Sequence, residues 1–195
     1  MSRVRAFLAV PLPEQLKEAI RDTQKDLQPR IPEARWTRRE NLHLTLHFFG
    51  EIEQETLEKL KVSMLSLSGC QRPSQVEVKG LGAFPNPHRP RVIWLGLKPR
   101  HGLEQLHRNT RKCLRQAGLA TDPRPFSPHL TIGRLRGGKP DLTALFNSFR
   151  QEMIGRLPLD RLILYESRLR PDGAQHIPLL TVNLDDENTE TPYAT

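Results

Sequence analysis

Two hydrophobic periods divide the chain, one of about two residues and one of three to four, and they predict alternating strands and helices. Residues 5–10 read as a strand closed by Pro11 and Pro13. Leu16, Ile20 and Leu27 then recur at helical spacing, predicting a helix over 13–28 that Pro29 and Pro32 end. Residues 42–49 form a strand ending at Gly50, and 54–67 a helix with Leu57, Leu60, Met64 and Leu67 on one face. Strands at 75–81 and 91–97 flank a proline-rich loop, 84–90. Leu103, Leu106, Thr110 and Leu114 mark the inner face of a helix over 102–117, which Gly118 can terminate. A strand at 129–134 follows. Asp141 can cap a fourth helix running through Met153, and two last strands, 157–167 and 175–184, meet at the turn Pro171-Asp172-Gly173.

The two halves of this pattern are alike. Each has a long amphipathic helix and then a strand carrying His-Leu-Thr-apolar: His43-Leu44-Thr45-Leu46 and His129-Leu130-Thr131-Ile132. A single His-x-Thr is common, but two copies at matching points of two halves are hard to reconcile with chance. A duplicated or pseudo-symmetric α+β architecture is the simplest reading. At 195 residues the chain fits one domain, taken as 1–184, with the acidic, polar segment 185–195 expected to be a disordered tail.

Composition narrows the function classes. No apolar run approaches the roughly 18–20 residues of a membrane span. The stretch 7–11 is too short for the core of a signal peptide and no small-residue cleavage site follows it, so a cytoplasmic location is expected. Cys70 and Cys113 lack metal-ligand spacing and are expected to be free thiols. Thirty Lys and Arg against 22 Asp and Glu give a net charge of +8, which makes nucleic acid the obvious partner class, although basic proteins without one are common.

On a strand, residues i and i+2 share a face. His43 and Thr45 therefore point one way and Leu44 and Leu46 the other, and the same holds for His129 and Thr131 over Leu130 and Ile132. Two such strands meeting across a cleft would bring together two imidazoles and two hydroxyls. That set suits displacement at phosphorus: one imidazole as base for water, the other as acid for the departing oxygen, and hydroxyls to donate to the non-bridging oxygens. A cyclic phosphate carries its own leaving group, so the chemistry requires neither metal nor cofactor.

Plainer readings compete. A lone strand histidine is usually a polar residue on a wet face, and only the symmetric pairing with threonine reverses that here. His43 and His47, four apart, would suit zinc on a helix, but 44–49 alternates and is β-rich. His47 shares parity with His43 and Thr45, which admits the cleft edge, but a surface position is the expectation. His88, His101, His107 and His176 show no constellation. Arg134 falls on the wrong face by strict alternation unless a bulge near Gly133 re-aims it, and the spacing leaves both options open.

With these flanks in view, the sequence resembles the two-histidine phosphoesterase superfamily, and within it the bacterial and archaeal RNA 2′,3′-cyclic phosphodiesterases, once called 2′-5′ RNA ligases. The resemblance spans about 5–184. It rests on 5–13, on Asn41-Leu42-His43-Leu44-Thr45-Leu46 with Phe48-Phe49-Gly50, on Phe84-Pro85 with 91–96, on 125–134 and on Leu164-Tyr165-Glu166-Ser167. It implies two lobes of antiparallel sheet around a central cleft, with helices outside. It implies His43 and His129 as the acid/base pair and Thr45 and Thr131 as phosphate contacts. Arg134 matches an arginine that the family places after its second motif, and Phe7 and Phe84 are, by analogy, candidates for stacking a terminal base, with core packing the alternative. The expected substrate is RNA ending in a 2′,3′-cyclic phosphate, opened to a 2′-phosphate by a monomer that needs no metal. A non-catalytic RNA-binding module, an enzyme acting on another cyclic or nucleotide ester, and a 2′-5′ RNA ligase running the reverse reaction are the competing functions.

Overall fold

The structure, a computed structural model, describes residues 3–69, 74–122, 124–137, 140–171 and 173–184. The segment 185–195 and Cys70 lie outside the described residues. Nine strands and four α-helices follow one another as β1 (Arg3–Pro11), α1 (Glu14–Leu27), β2 (Ala34–Trp36), β3 (His43–Glu53), α2 (Gln54–Leu65), β4 (Gln75–Phe84), β5 (Val92–Lys98), α3 (His101–Gln116), β6 (Leu130–Leu135), α4 (Thr143–Ser148), β7 (Met153–Pro158), β8 (Arg161–Arg170) and β9 (Gly173–Asn183) among the described residues. The architecture is α+β. One sheet has the order β3-β1-β8-β9 and the other β2-β6-β5-β4-β7, with antiparallel pairing throughout.

Each sheet has an apolar face packed on helices and a second face turned to the cleft. β1 is central in its sheet, and Ala6, Leu8, Ala9 and Val10 are fully buried. The helices are exchanged between the halves. α1 follows a strand of the first sheet but lies on the second: Leu16 packs so close to Gly155 of β7 that a Cβ there would stand 2.9 Å from it. From the same helix the buried Gln24 amide donates to the carbonyls of Ile132 and Thr37, both at 2.9 Å. α3 follows a strand of the second sheet but packs beside α2 and reaches β3. Neither half buries its apolar surface without the other. No helix among the described residues is long and apolar enough to cross a membrane.

Two expectations about elements need correction, and one element was not expected. The helix predicted through Met153 stops at Ser148, and 153–158 is a strand paired with β4. The single strand predicted at 157–167 is two strands in different sheets, β7 and β8, with Pro158 at the crossing, where its missing N–H ends the ladder. The three-residue β2 is too short to show any period.

Candidate active site

His43 opens β3, and His129 immediately precedes β6. Their motifs face a cleft of about 500 Å³ between the two sheets, where His43, Thr45, His129, Thr131 and Arg134 all line the wall. Leu44, Leu46, Leu130 and Ile132 point into the core. The alternation expected from the sequence therefore holds at both copies.

The imidazoles are mounted in the same way. His43 Nδ1 donates to the carbonyl of Asn41 at 2.8 Å, and His129 Nδ1 to the carbonyl of Ser127 at 2.7 Å. A carbonyl can only accept, so each neutral ring carries its proton on Nδ1 and its lone pair on Nε2. Thr45 Oγ1 lies 3.0 Å from His43 Nε2 and donates to it. A phenylalanine backs each ring, Phe7 at 4.7 Å from His43 and Phe84 at 4.8 Å from His129. Phe7 is only 3% exposed and is also enclosed by Tyr165 and His176. Phe84, edge-on to His129, leans against Trp94. Both phenylalanines thus support the histidines, and Phe7 has no free face to offer a base.

A bulge recurs at the same point of each motif. In β3, Thr45 and His47 pair with Ala9 and Leu8, which leaves Leu46 without a partner. In β6, Thr131 and Gly133 pair with Trp94 and Ile93, which leaves Ile132 without one. In both strands the unpaired residue is the fourth of the tetrapeptide. A bulge adds one residue and reverses the facing of all that follow, so Phe48 and Arg134, the sixth positions counting from each histidine, both reach the cleft. Arg134 is therefore on the cleft side despite its odd spacing. Gly133 lets Trp36 of β2 close over it, where a Cβ would stand 3.1 Å from the indole.

The same bulge overturns the surface expected for His47. It turns into the core at 3% exposure, and its Nε2 donates to Thr110 Oγ1 at 2.7 Å, the hydroxyl passing its own proton to a backbone carbonyl of α3. His107, read as isolated, stacks between His47 at 4.5 Å and Phe126 at 4.2 Å. His176, also read as isolated, lines the cleft with its ring 5.0 Å from His43. Trp36 and His176 carried no motif, Asn41 and Phe48 entered only as flanks of the first motif, and the fold gathers all four at the cleft. Among the described residues, no three His, Cys, Asp or Glu side chains are grouped to hold a metal.

Burial depresses every imidazole here. It pulls His43 down to about 4, with His176 and then His129 adding like-charge repulsion against the Asn41 carbonyl, which favours the cation. His129 is lowered by burial first and by Arg134 second, with the Ser127 carbonyl opposing. His176 is lowered by burial alone. At neutral pH the rings are uncharged and the cleft's charge comes from its arginines, Arg5, Arg35, Arg38, Arg134 and Arg136. An anion entering would draw the imidazoles back up.

The profile of the family described as LigT like Phosphoesterase matches residues 10–94 and 96–174, one His-x-Thr motif in each segment. The chain is 30% identical over 170 residues to a protein of Archaeoglobus fulgidus, covering 87% of this chain and 94% of that one. It is 31% identical over 173 residues to one of Methanothermobacter thermautotrophicus, covering 88% and 94%. Both relatives bear the name RNA 2′,3′-cyclic phosphodiesterase. A crystal structure of a Thermus thermophilus protein superposes with a TM-score of 0.79 at 27% identity, covering 94% of this chain and all of that one. Escherichia coli LigT complexed with 3′-AMP does so with 0.75 at 27% identity, covering 94% and 99%. The chain belongs to the LigT-like phosphoesterase family of the two-histidine phosphoesterase superfamily.

Proposed function

We propose that this protein hydrolyses the 2′,3′-cyclic phosphate ends of RNA to 2′-phosphates, with His43 and His129 as its acid/base pair. The observation that carries the reading is the identical mounting of the two imidazoles, each fixed through Nδ1 with Nε2 turned to one cleft. The names of the relatives supply the substrate class. In the reaction, water attacks phosphorus and gives its proton to His129 Nε2. The bond to the ribose 3′-oxygen breaks, and His43 Nε2–H protonates that oxygen. The product carries a 2′-phosphate and a 3′-hydroxyl. Thr45, Thr131 and Arg134 meet the non-bridging oxygens, where hydroxyl and guanidinium donors match the growing charge.

One observation favours the opposite division of roles. His43 is the imidazole held down to about 4, so until the phosphate arrives it stands unprotonated, the form a base needs and an acid does not. In the reading we prefer, the anionic ester beside it restores the proton that His43 must donate.

The test is product analysis on a short RNA ending in a 2′,3′-cyclic phosphate, using exhaustively chelated enzyme. A 2′-phosphate product is expected. A 3′-phosphate overturns the assignment of the leaving oxygen, and activity that returns only with added zinc or magnesium overturns the two-histidine mechanism.

A further inference from the structure

The cleft does not end at His43. It continues into a side branch between the turn Arg39–Asn41 and the start of β9, lined by Arg38, Glu40, Arg170, Gln175 and His176. His176 belongs to both spaces, 5.0 Å from His43 and 4.8 Å from Phe7. Asn41 holds the branch in register with the reaction centre. Its Nδ2 donates to the Ala174 carbonyl at 2.8 Å, and its own carbonyl takes the His43 Nδ1 proton.

Arg170 and His176 differ from the ion-paired groups around them. Arg39 is paired with Glu14 and Glu18, and Arg168 with Glu166. Beyond the β8–β9 ladder, the side chains of Arg170 and His176 form no ion pair or hydrogen bond with another described residue. The two exits from the reaction centre also differ in chemistry. The main cleft has Trp36 of β2 and Phe48 of β3 in its lining, Phe48 44% exposed with the Arg5 guanidinium over its ring at 5.1 Å, a set of aromatic and cationic surfaces that suits the flat face of a base. The branch presents guanidinium, imidazole and amide donors around Glu40, its one carboxylate among the described residues, which suits a phosphate.

We propose that this branch is a second phosphate subsite, which binds the 5′-phosphodiester of the terminal nucleotide through Arg170 and His176 while its cyclic phosphate lies between His43 and His129. The inference rests on the phosphodiesterase reading above and adds a direction to it. The terminal base lies toward Trp36 and Phe48, and the RNA chain leaves past β9. An RNA end then has a contact that a nucleoside 2′,3′-cyclic phosphate lacks.

The experiment compares kcat/KM for a nucleoside 2′,3′-cyclic phosphate with that for the same nucleotide bearing a 5′-phosphate. Wild-type enzyme is expected to favour the 5′-phosphorylated form by about tenfold or more, the size of one charge-assisted contact. Arg170→Gln and His176→Gln should each shrink that ratio toward one, and Arg170→Lys should keep part of it. Equal treatment of the two substrates by wild type overturns the subsite. So does a parallel fall for both substrates in Arg170→Gln. Calorimetric binding of nucleoside 2′,5′-bisphosphate against nucleoside 2′-monophosphate reads the subsite without turnover. Tighter binding of the bisphosphate, lost in Arg170→Gln, upholds the subsite even if neither cyclic substrate is cleaved, a result that would sink the phosphodiesterase reading alone. Equal binding of the two overturns the subsite.

Discussion

β3 and β6 use one device twice and finish it differently. In each, a histidine and a threonine face the cleft, the fourth residue bulges out of the ladder, and the residue two places further on is turned inward. On β3 that residue is Phe48, and on β6 it is Arg134. The surroundings diverge in step. His43 is enclosed by Phe7, Tyr165 and a third imidazole, His176, whereas His129 has Arg134 and the edge of Phe84. A symmetric backbone thus carries an asymmetric field: β6 brings a guanidinium of its own, Arg134, whereas β3 brings an aromatic ring, Phe48, with Arg5 of β1 over it at 5.1 Å. Two equivalent histidines can then do unequal jobs.

The comparison can be broken at the histidines first. His43→Ala and His129→Ala should each lower kcat by about 10²–10⁴-fold, the usual worth of a positioned proton donor or acceptor. Steady-state rates on folded variants check this, and near-native kcat in either variant sinks the pairing. Thr45→Ala and Thr131→Ala should cost less, on the order of tenfold, because each removes one neutral donor to the phosphate. A larger loss at Thr45 than at Thr131 would mark its bond to His43 Nε2 as part of the chemistry.

The pH profile sharpens the contrast. One imidazole must be neutral and the other protonated, so kcat/KM should be bell-shaped, with limbs that belong to the coupled pair. Both rings are lowered by burial, so the base stays neutral further into acid and the acid loses its proton earlier on the alkaline side. The bell is therefore centred below the 6.5 of a free imidazole. His176→Gln removes a like charge facing His43 and should move His43's limb to higher pH. The groups left around His43 are His129, the neutral Tyr165 and the Asn41 carbonyl. Movement of the alkaline limb makes His43 the acid, and movement of the acidic limb makes it the base.

His47 is the control on the same strand. It too is held to about 4, by burial first and His107 second, but it faces the core rather than the cleft. Its folded value lies below its unfolded one, so unfolding takes up a proton and stability falls as pH drops from about 6.5 toward 4. The loss can reach about 3 kcal/mol for a shift of that size. Denaturant melts should show a flatter pH dependence for His47→Gln, whose amide can still donate to Thr110. An unchanged slope would place the proton uptake elsewhere.

Much of the site was legible because its elements repeat. A period of two identified both strands and sent His43, Thr45, His129 and Thr131 to one face, and the doubled motif separated them from ordinary strand residues. The bulges were less legible. A single unpaired residue leaves the hydrophobic pattern intact on either side, so parity carried His47 to the surface and left Arg134 undecided. Trp36 and Asn41 come from a three-residue strand and a short turn, which have no internal period, and His176 from an edge strand whose period was legible but whose place beside His43 is set by antiparallel pairing. The junction between β7 and β8 was hidden for a related reason, since two strands joined by a short turn read as one apolar run.

The most direct measurement of the divided roles is the response of the two alanine variants to the leaving group. A substrate whose departing oxygen has a low pKa needs little protonation, so it should largely restore His43→Ala and leave His129→Ala inactive. Restoration of His129→Ala instead exchanges the roles. Equal restoration of both variants, or of neither, contradicts the claim that one histidine protonates the leaving oxygen while the other activates water.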